Sequence, residues 1–192
     1  MFVFRSLCAG AVISLALVTN ARAGETYKFD QNGSTIRFTV RHLLGTARGD
    51  FARFSGTIDL DSDQPEKSSV SARIEVASID TGISKRDSHL RSPDFFDAQK
   101  FPVITFKSRS VKRTGEREGD VAGDLTMHGV TRPIVLHVEM VQPTGGRSRS
   151  KVTTPPLNRR EFGLMFGGTA EAVSGIGQEV TVNIEVQAAH SD

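Results

Sequence analysis

The sequence predicts an all-β fold, an antiparallel barrel of about eight strands with one short helical insertion. Three observations predict it. Apolar and polar residues alternate with a period of two along most of the chain. Turn-forming residues separate these stretches at short intervals. One stretch, residues 83–96, mixes charged and apolar residues without alternation. Long strands with one apolar face favour a barrel over an open sandwich, because closure removes exposed strand edges. An eight-stranded barrel has room for packed side chains or for one small ligand. Periodicity does not choose between them.

Each element follows from its own residues. Tyr27 and Phe29 mark a short first strand, and Asp30 to Ser34 a turn in which Asn32-Gly33 supplies a positive φ. Ile36, Phe38 and Val40 alternate with Arg37, Thr39 and Arg41. Arg48-Gly49-Asp50 reads as a turn leading into Phe51. Phe51, Phe54, Ile58 and Leu60 lie in an extended stretch broken by Gly56. Val70, Ala72, Ile74 and Val76 form the next strand. Residues 83–96 then read as a short helix stopped at Pro93 and followed by an irregular loop.

Strands resume with Ile104 and Phe106, and a polar hairpin over 112–120 leads to Val121, Leu125 and Met127. Ile134, Leu136, Val138 and Met140 continue the alternation. Gly145 to Ser150 reads as a basic, flexible loop, and Thr153 to Pro156 as a strand end, since proline cannot donate to a ladder. Val180, Val182, Ile184 and Val186 form the clearest strand.

Residues 1–23 are set apart. Arg5, the apolar run Leu7–Val18 and Ala21-Arg22-Ala23 fit a secretory signal peptide cleaved before Gly24. The run is too short to span a bilayer as an ordinary helix. The expected domains are therefore the signal, 1–23, and one domain, 24–192. Export to the periplasm follows if the source is Gram-negative. The 192-residue chain carries 24 Lys+Arg against 22 Asp+Glu, a formal charge of +2. Arg5 and Arg22 leave with the signal, so the remainder is formally neutral. Neutrality argues against a nucleic-acid partner. Cys8, the single cysteine, leaves too, which removes disulfide and thiol chemistry.

Motifs for catalysis are scarce. The five histidines, at 42, 89, 128, 137 and 190, include no metal-binding pair at short spacing. No nucleophile elbow, Walker loop or dinucleotide fingerprint occurs. His42 and His128 read as strand-end residues bonded to backbone. The aromatic supply is unusual: 12 Phe, one Tyr and no Trp. Nine of the 12 Phe stand out, Phe101 and Phe166 among them, and several of the nine fall on inward-facing strand positions. They either fill the barrel or line a cavity for a lipid-like ligand.

Seven ordered segments then carry a resemblance. They are YKFDQNGSTIRFTVRHL (27–43), RGDFARFSGTI (48–58), ASIDTGISKRDSHLRSPDFFD (77–97), FPVITFKS (101–108), GDLTMHGVTRP (123–133), NRREFGL (158–164) and GQEVTVNI (177–184). The chain resembles the YceI-like family of exported polyisoprenoid-binding proteins, with an extended lipocalin-like β-barrel. An ordinary lipocalin is a poor match, because its G-x-W signature needs Trp.

The resemblance implies a long-chain isoprenoid of quinone or polyprenyl type, or a similar amphiphilic lipid, held inside the barrel. The role implied is carrier, store or sequestering protein, with no cofactor beyond the lipid, no metal and no catalytic residue. The implied wall comprises Ile36, Phe38, Val40, Phe51, Phe54, Leu90, Phe95, Phe96, Phe106, Leu125, Met127, Phe162, Val182 and Ile184. Arg41, His42, Arg86, His89 and Arg91 are candidates for a polar headgroup. Gly56 and Gly123 are candidates for relieving barrel curvature, and residues 83–96 for a lid or a plug. The alternatives are an enzyme acting on a lipid headgroup through His42 or His89, or a fatty-acid or fatty-amide binder. Self-association into a homodimer stays open.

Overall fold

The structure, a computed structural model, describes residues 24–144, 147–165 and 175–191. Twelve strands form one antiparallel sheet: β1 (Glu25–Phe29), β2 (Thr35–His42), β3 (Gly45–Phe51), β4 (Phe54–Leu60), β5 (Ser69–Glu75), β6 (Ile79–Asp80), β7 (Val103–Arg113), β8 (Glu118–Met127), β9 (Val130–Thr144), β10 (Arg147–Thr153), β11 (Leu157–Asn158) and β12 (Glu179–His190). The one described α-helix, α1, spans Ser84–Arg91.

The twelve strands make eight runs. β1 and β2 lie end to end along β12, with Phe29 opposite Ala188 and Thr35 opposite Glu185. β3 and β4 continue one another beside them, with Gly49 opposite Phe38 and Thr57 opposite Lys28. β5 and β6 pair with β4 and β3 in turn. β11 extends β10 along β12. Each run bonds to the next in chain order, and β12 closes on β1 and β2. The result is a closed, antiparallel eight-stranded barrel of up-and-down connectivity with one short helix, which is the expected fold class.

Several local expectations need correction. Residues 31–33 form a 3₁₀ turn capped by the Asp30 carboxylate, which accepts from Asn32 N, and no positive φ is used there. The break in the Phe51–Leu60 stretch falls at Ala52-Arg53, and Gly56 lies inside β4. Arg48-Gly49-Asp50 is strand, not turn, because it pairs in register with Thr39, Phe38 and Arg37. Val76 ends its alternation in a 3₁₀ turn. The hairpin over 112–120 is tighter than expected, since β7 runs to Arg113 and β8 starts at Glu118. The loop expected over Gly145–Ser150 is mostly β10, and Gly145 lies outside the described residues. Arginine and serine alternating there gave no apolar signal, yet both neighbours supply ladder partners. The helix ends at Arg91, before Pro93, as the restricted conformation preceding proline requires.

Three glycines share one job. Gly49, Gly56 and Gly123 leave room for the rings of Phe38, Phe29 and Phe106 on adjacent strands. Each ring covers the bare backbone of its glycine, a pairing that holds register across the sheet. A Cβ on Gly123 would meet Lys107 O at 2.5 Å and the Phe106 ring at 2.6 Å. The backbone oxygen has no room to yield. Gly123→Ala is therefore expected to cost about 1–3 kcal/mol, read as a lower denaturant midpoint; an unchanged midpoint would refute this crowding.

On the outer face, His137 Nδ1 meets Asp120 Oδ1 at 2.9 Å across β8 and β9. The hydrogen bond to that carboxylate raises the His137 pKa above its ordinary 6.5; desolvation opposes it, and the charges of Asp120, Glu118 and Glu139 add to it. A raised folded-state pKa stabilises fully below the unfolded value and fades as pH rises through the folded one. The expected result is a downward His137 titration shift in Asp120→Asn, followed by NMR. It should be accompanied by loss of the small stability difference between the two proteins as pH climbs from about 6.5.

A hollow barrel with two unlike mouths

The inward residues of β5, β9 and β12 are apolar: Ala72, Ile74, Leu136, Val138, Val182 and Ile184. In a filled barrel they would be fully buried. Here they are only half-buried, because they border empty space. The space is a cavity of about 1080 Å³ running the length of the barrel. That is just above the ~300–1,000 Å³ usual for small-molecule sites. Ala47 and Ala72 face it where bulkier residues would have narrowed it. The structure thus decides what the periodicity left open: the interior is hollow.

The insertion between β6 and β7 sits over one mouth. Leu90, Phe95 and Phe96 border the cavity there. Phe96 stacks edge-on against Phe95 at 5.3 Å and against Phe51 at 6.4 Å. α1 itself is polar, so propensity and amphipathicity do little to hold it. Side-chain bonds to strand β6 and its exit hold it instead. Arg91 Nη2 donates to Ile79 O at 2.6 Å. The buried Asp87 carboxylate accepts from Thr81 N at 2.9 Å and from the Thr81 hydroxyl. Arg86 Nε and Nη2 donate to Thr81 Oγ1 and O at 2.7 and 2.8 Å. Arg86, His89 and His42 all reach the cavity at this end.

The far mouth is ringed by ionic residues, including Glu25, Arg113, Arg117 and Arg147. Tyr27 there donates to Glu25 at 2.6 Å. That bond, with partial burial and the carboxylate charge, raises the phenol pKa above 10.0.

Twelve of the fourteen expected wall residues border the cavity. Phe54 does not; it is buried in the core at the bend where β3 gives way to β4. Phe162 does not either. It lies in a 3₁₀ turn outside the cavity, where its carbonyl meets His128 Nδ1 at 3.2 Å. Of the headgroup candidates, Arg41 points outward on β2 and is exposed, as the two-residue period dictates, while His42 points in. Arg91 is spent on Ile79 and does not border the cavity. His42 and His128 do sit at strand ends, with His42 Nδ1 accepting from Leu44 N at 3.3 Å. Phe166 lies outside the described residues.

Sequence reasoning missed the far mouth and one buried cation. Arg159, 2 % exposed, borders the cavity beside the helix-end mouth. It donates to Leu164 O, Gly177 O and Ile176 O at 2.6, 3.0 and 3.3 Å. It lies one residue past β11, inside the segment NRREFGL, which carries the family resemblance but does not mark the arginine as buried.

A family model described as YceI-like domain matches residues 27–188, nearly the whole barrel. The chain belongs to the YceI-like family. Among its relatives is a UPF0312 protein of Pseudomonas savastanoi pv. phaseolicola, 36% identical over 171 residues, covering 85% of this chain and 89% of that one. Two solved structures share the YceI-like barrel. Burkholderia cenocepacia BcnA matches with a TM-score of 0.78 at 24% identity, covering 84% of this chain and 99% of BcnA. A polyisoprenoid binding domain from Saccharophagus degradans, implicated in plant cell wall breakdown, matches with a TM-score of 0.71 at 18% identity, covering 86% and 98%. At these identities the two likenesses speak for the fold.

Proposed function

We propose that this YceI-like barrel is exported and binds one long-chain isoprenoid, or a similar amphiphilic lipid, as a carrier or store without transforming it. The observation that carries the reading is the apolar cavity running from mouth to mouth. A hydrocarbon chain has no hydrogen bonds to satisfy, so an apolar wall is all its burial needs. Burying ~300 Å² of chain contributes roughly 7–8 kcal/mol before the cost of ordering it. The shared fold of a domain described as polyisoprenoid binding supports the same reading.

The headgroup is placed at the helix-end mouth, where Arg86, His42 and His89 border the cavity. Arg86 is already positioned by Thr81, so it presents a cation at low entropic cost. Between the mouths the wall is Phe, Ile, Val and Leu, and acids and bases border the cavity only towards its two ends, which favours binding over chemistry. Residues 1–23 act as the export signal.

Organic extraction of the protein purified from its own host, followed by mass spectrometry, tests this reading. A prenyl lipid at near-stoichiometric yield is expected. No co-purifying lipid, together with no uptake of a fluorescent prenyl-quinone probe, would sink it. A fatty acid or fatty amide in the extract would move the assignment to another chain chemistry. N-terminal sequencing of the exported protein should begin at Gly24.

A further inference from the structure

Four of the six large apolar side chains most exposed among the described residues stand at the helix-end mouth. They are Leu43 (76%), Leu44 (90%), Met165 (59%) and Ile83 (51%). Leu43 and Leu44 are the whole two-residue turn between β2 and β3. Such turns favour Asn-Gly or Asp-Gly, whose backbones suit the geometry and whose side chains suit water. Two leucines there gain nothing from the fold: the side chains project past the barrel rim. Leu43 adjoins Gly175, and Gly177 N donates to Arg41 O, so residues 175–177 flank the same tip, and Arg159 ties Leu164, the neighbour of Met165, to Gly177.

The outer face of this hairpin is basic. Arg37 pairs with Asp50 at 3.0 Å. Arg41 and Arg48, on the same face, form no ion pair among the described residues, and neither does Lys85 beside Ile83. At ~3.3 Å per strand residue, Arg41 stands about 7 Å behind the leucines and Arg48 about 13 Å. A leaflet's headgroup layer is about 5–8 Å deep. Leucines at the acyl boundary therefore place Arg41 among the headgroups and Arg48 within a Debye length of them.

We infer that the Leu43–Leu44 hairpin tip docks the barrel on an anionic lipid bilayer, with the helix-end mouth turned to the membrane. The leucines enter the acyl boundary. Arg41, Arg48 and Lys85 meet the anionic headgroups. A chain leaving the bilayer then enters a cavity bordered by His42, one residue from the tip. The inference rests on the lipid-binding reading for its purpose, but its surface is separate from the cavity wall, which contains neither leucine.

Vesicle co-sedimentation tests it. The chain from Gly24 onward carries every described strand and the helix, so it serves without the apolar run of residues 1–23. Vesicles of equal parts phosphatidylethanolamine and phosphatidylglycerol are expected to sediment it, and vesicles of phosphatidylcholine to sediment much less. L43D/L44D should lose about a hundredfold in partition. R41Q/R48Q should lose about tenfold or more and most of the salt dependence. Both variants should keep the parent's melting temperature and its uptake of a prenyl-quinone probe presented in detergent-free buffer. Equal partition of parent and L43D/L44D, or no partition of the parent, overturns the docking. Self-association through the leucines in place of vesicle binding overturns it also. Docking without probe uptake instead strikes the lipid-binding reading alone.

Discussion

Arg159→Met is expected to destabilise the barrel by about 3–5 kcal/mol through lost hydrogen bonds. The guanidinium is nearly sealed from water and serves three backbone carbonyls, those of Leu164, Ile176 and Gly177. Methionine fills the volume but donates nothing. The buried Leu164 carbonyl and the part-buried carbonyls of Ile176 and Gly177 then each lose a partner, at up to about 1–3 kcal/mol. These carbonyls belong to the two segments that flank the helix-end mouth, so the same change loosens the rim. At about 2–4 °C per kcal/mol for a chain of this size, the melting temperature should drop by about 10 °C. Arg159→Lys should recover little, because one ammonium cannot reproduce a planar fork spread over three acceptors. A methionine variant melting within about 2 °C of the parent would show that these bonds contribute little.

Val182→Asp is expected to abolish lipid uptake while leaving the fold largely intact. Val182 faces the cavity from β12, paired with Phe38 on β2. An empty cavity this large lets water reach an aspartate there. A hydrocarbon chain entering it must strip that water away without offering a hydrogen bond. The cost of burying an unsatisfied polar group, about 2–7 kcal/mol, falls on the bound state alone. Affinity for a prenyl-quinone probe should therefore fall by at least about a hundredfold. Val182→Leu should bind within a few-fold of the parent. The measurement is a fluorescence titration, with thermal melting alongside. An aspartate variant that binds normally would place the chain elsewhere than in this cavity.

Much of the site was legible in the alternation. On β2 and β12 the inward series Ile36, Phe38, Val40 and Val182, Ile184 could be read from parity alone, since a strand offers its side chains two faces only. Parity also separates His42, which faces in, from Arg41, which faces out. It fails where the backbone leaves the ladder. Phe54 follows the break at Ala52-Arg53, and Phe162 lies in a 3₁₀ turn, so neither inherits a face from its neighbours. Arg159 was illegible for a further reason. Its partners are backbone carbonyls up to 18 residues away, and any residue supplies a carbonyl.

The sequence by itself determined the all-β class, twelve of the apolar wall positions and the place of the one described helix. These rest on period, turn chemistry and proline, which act over a few residues. Three things were decided only in three dimensions. The twelve strands merge into eight runs because collinear pieces share one neighbour. The interior is hollow because ring–glycine pairs and small residues at 47 and 72 leave volume that no count of Phe could reveal. The two mouths differ because β2–β3, α1 and the 175–177 segment converge at one end only. Volume and convergence are sums over distant segments, whereas periodicity is local, and that is where reading the chain residue by residue reaches its end.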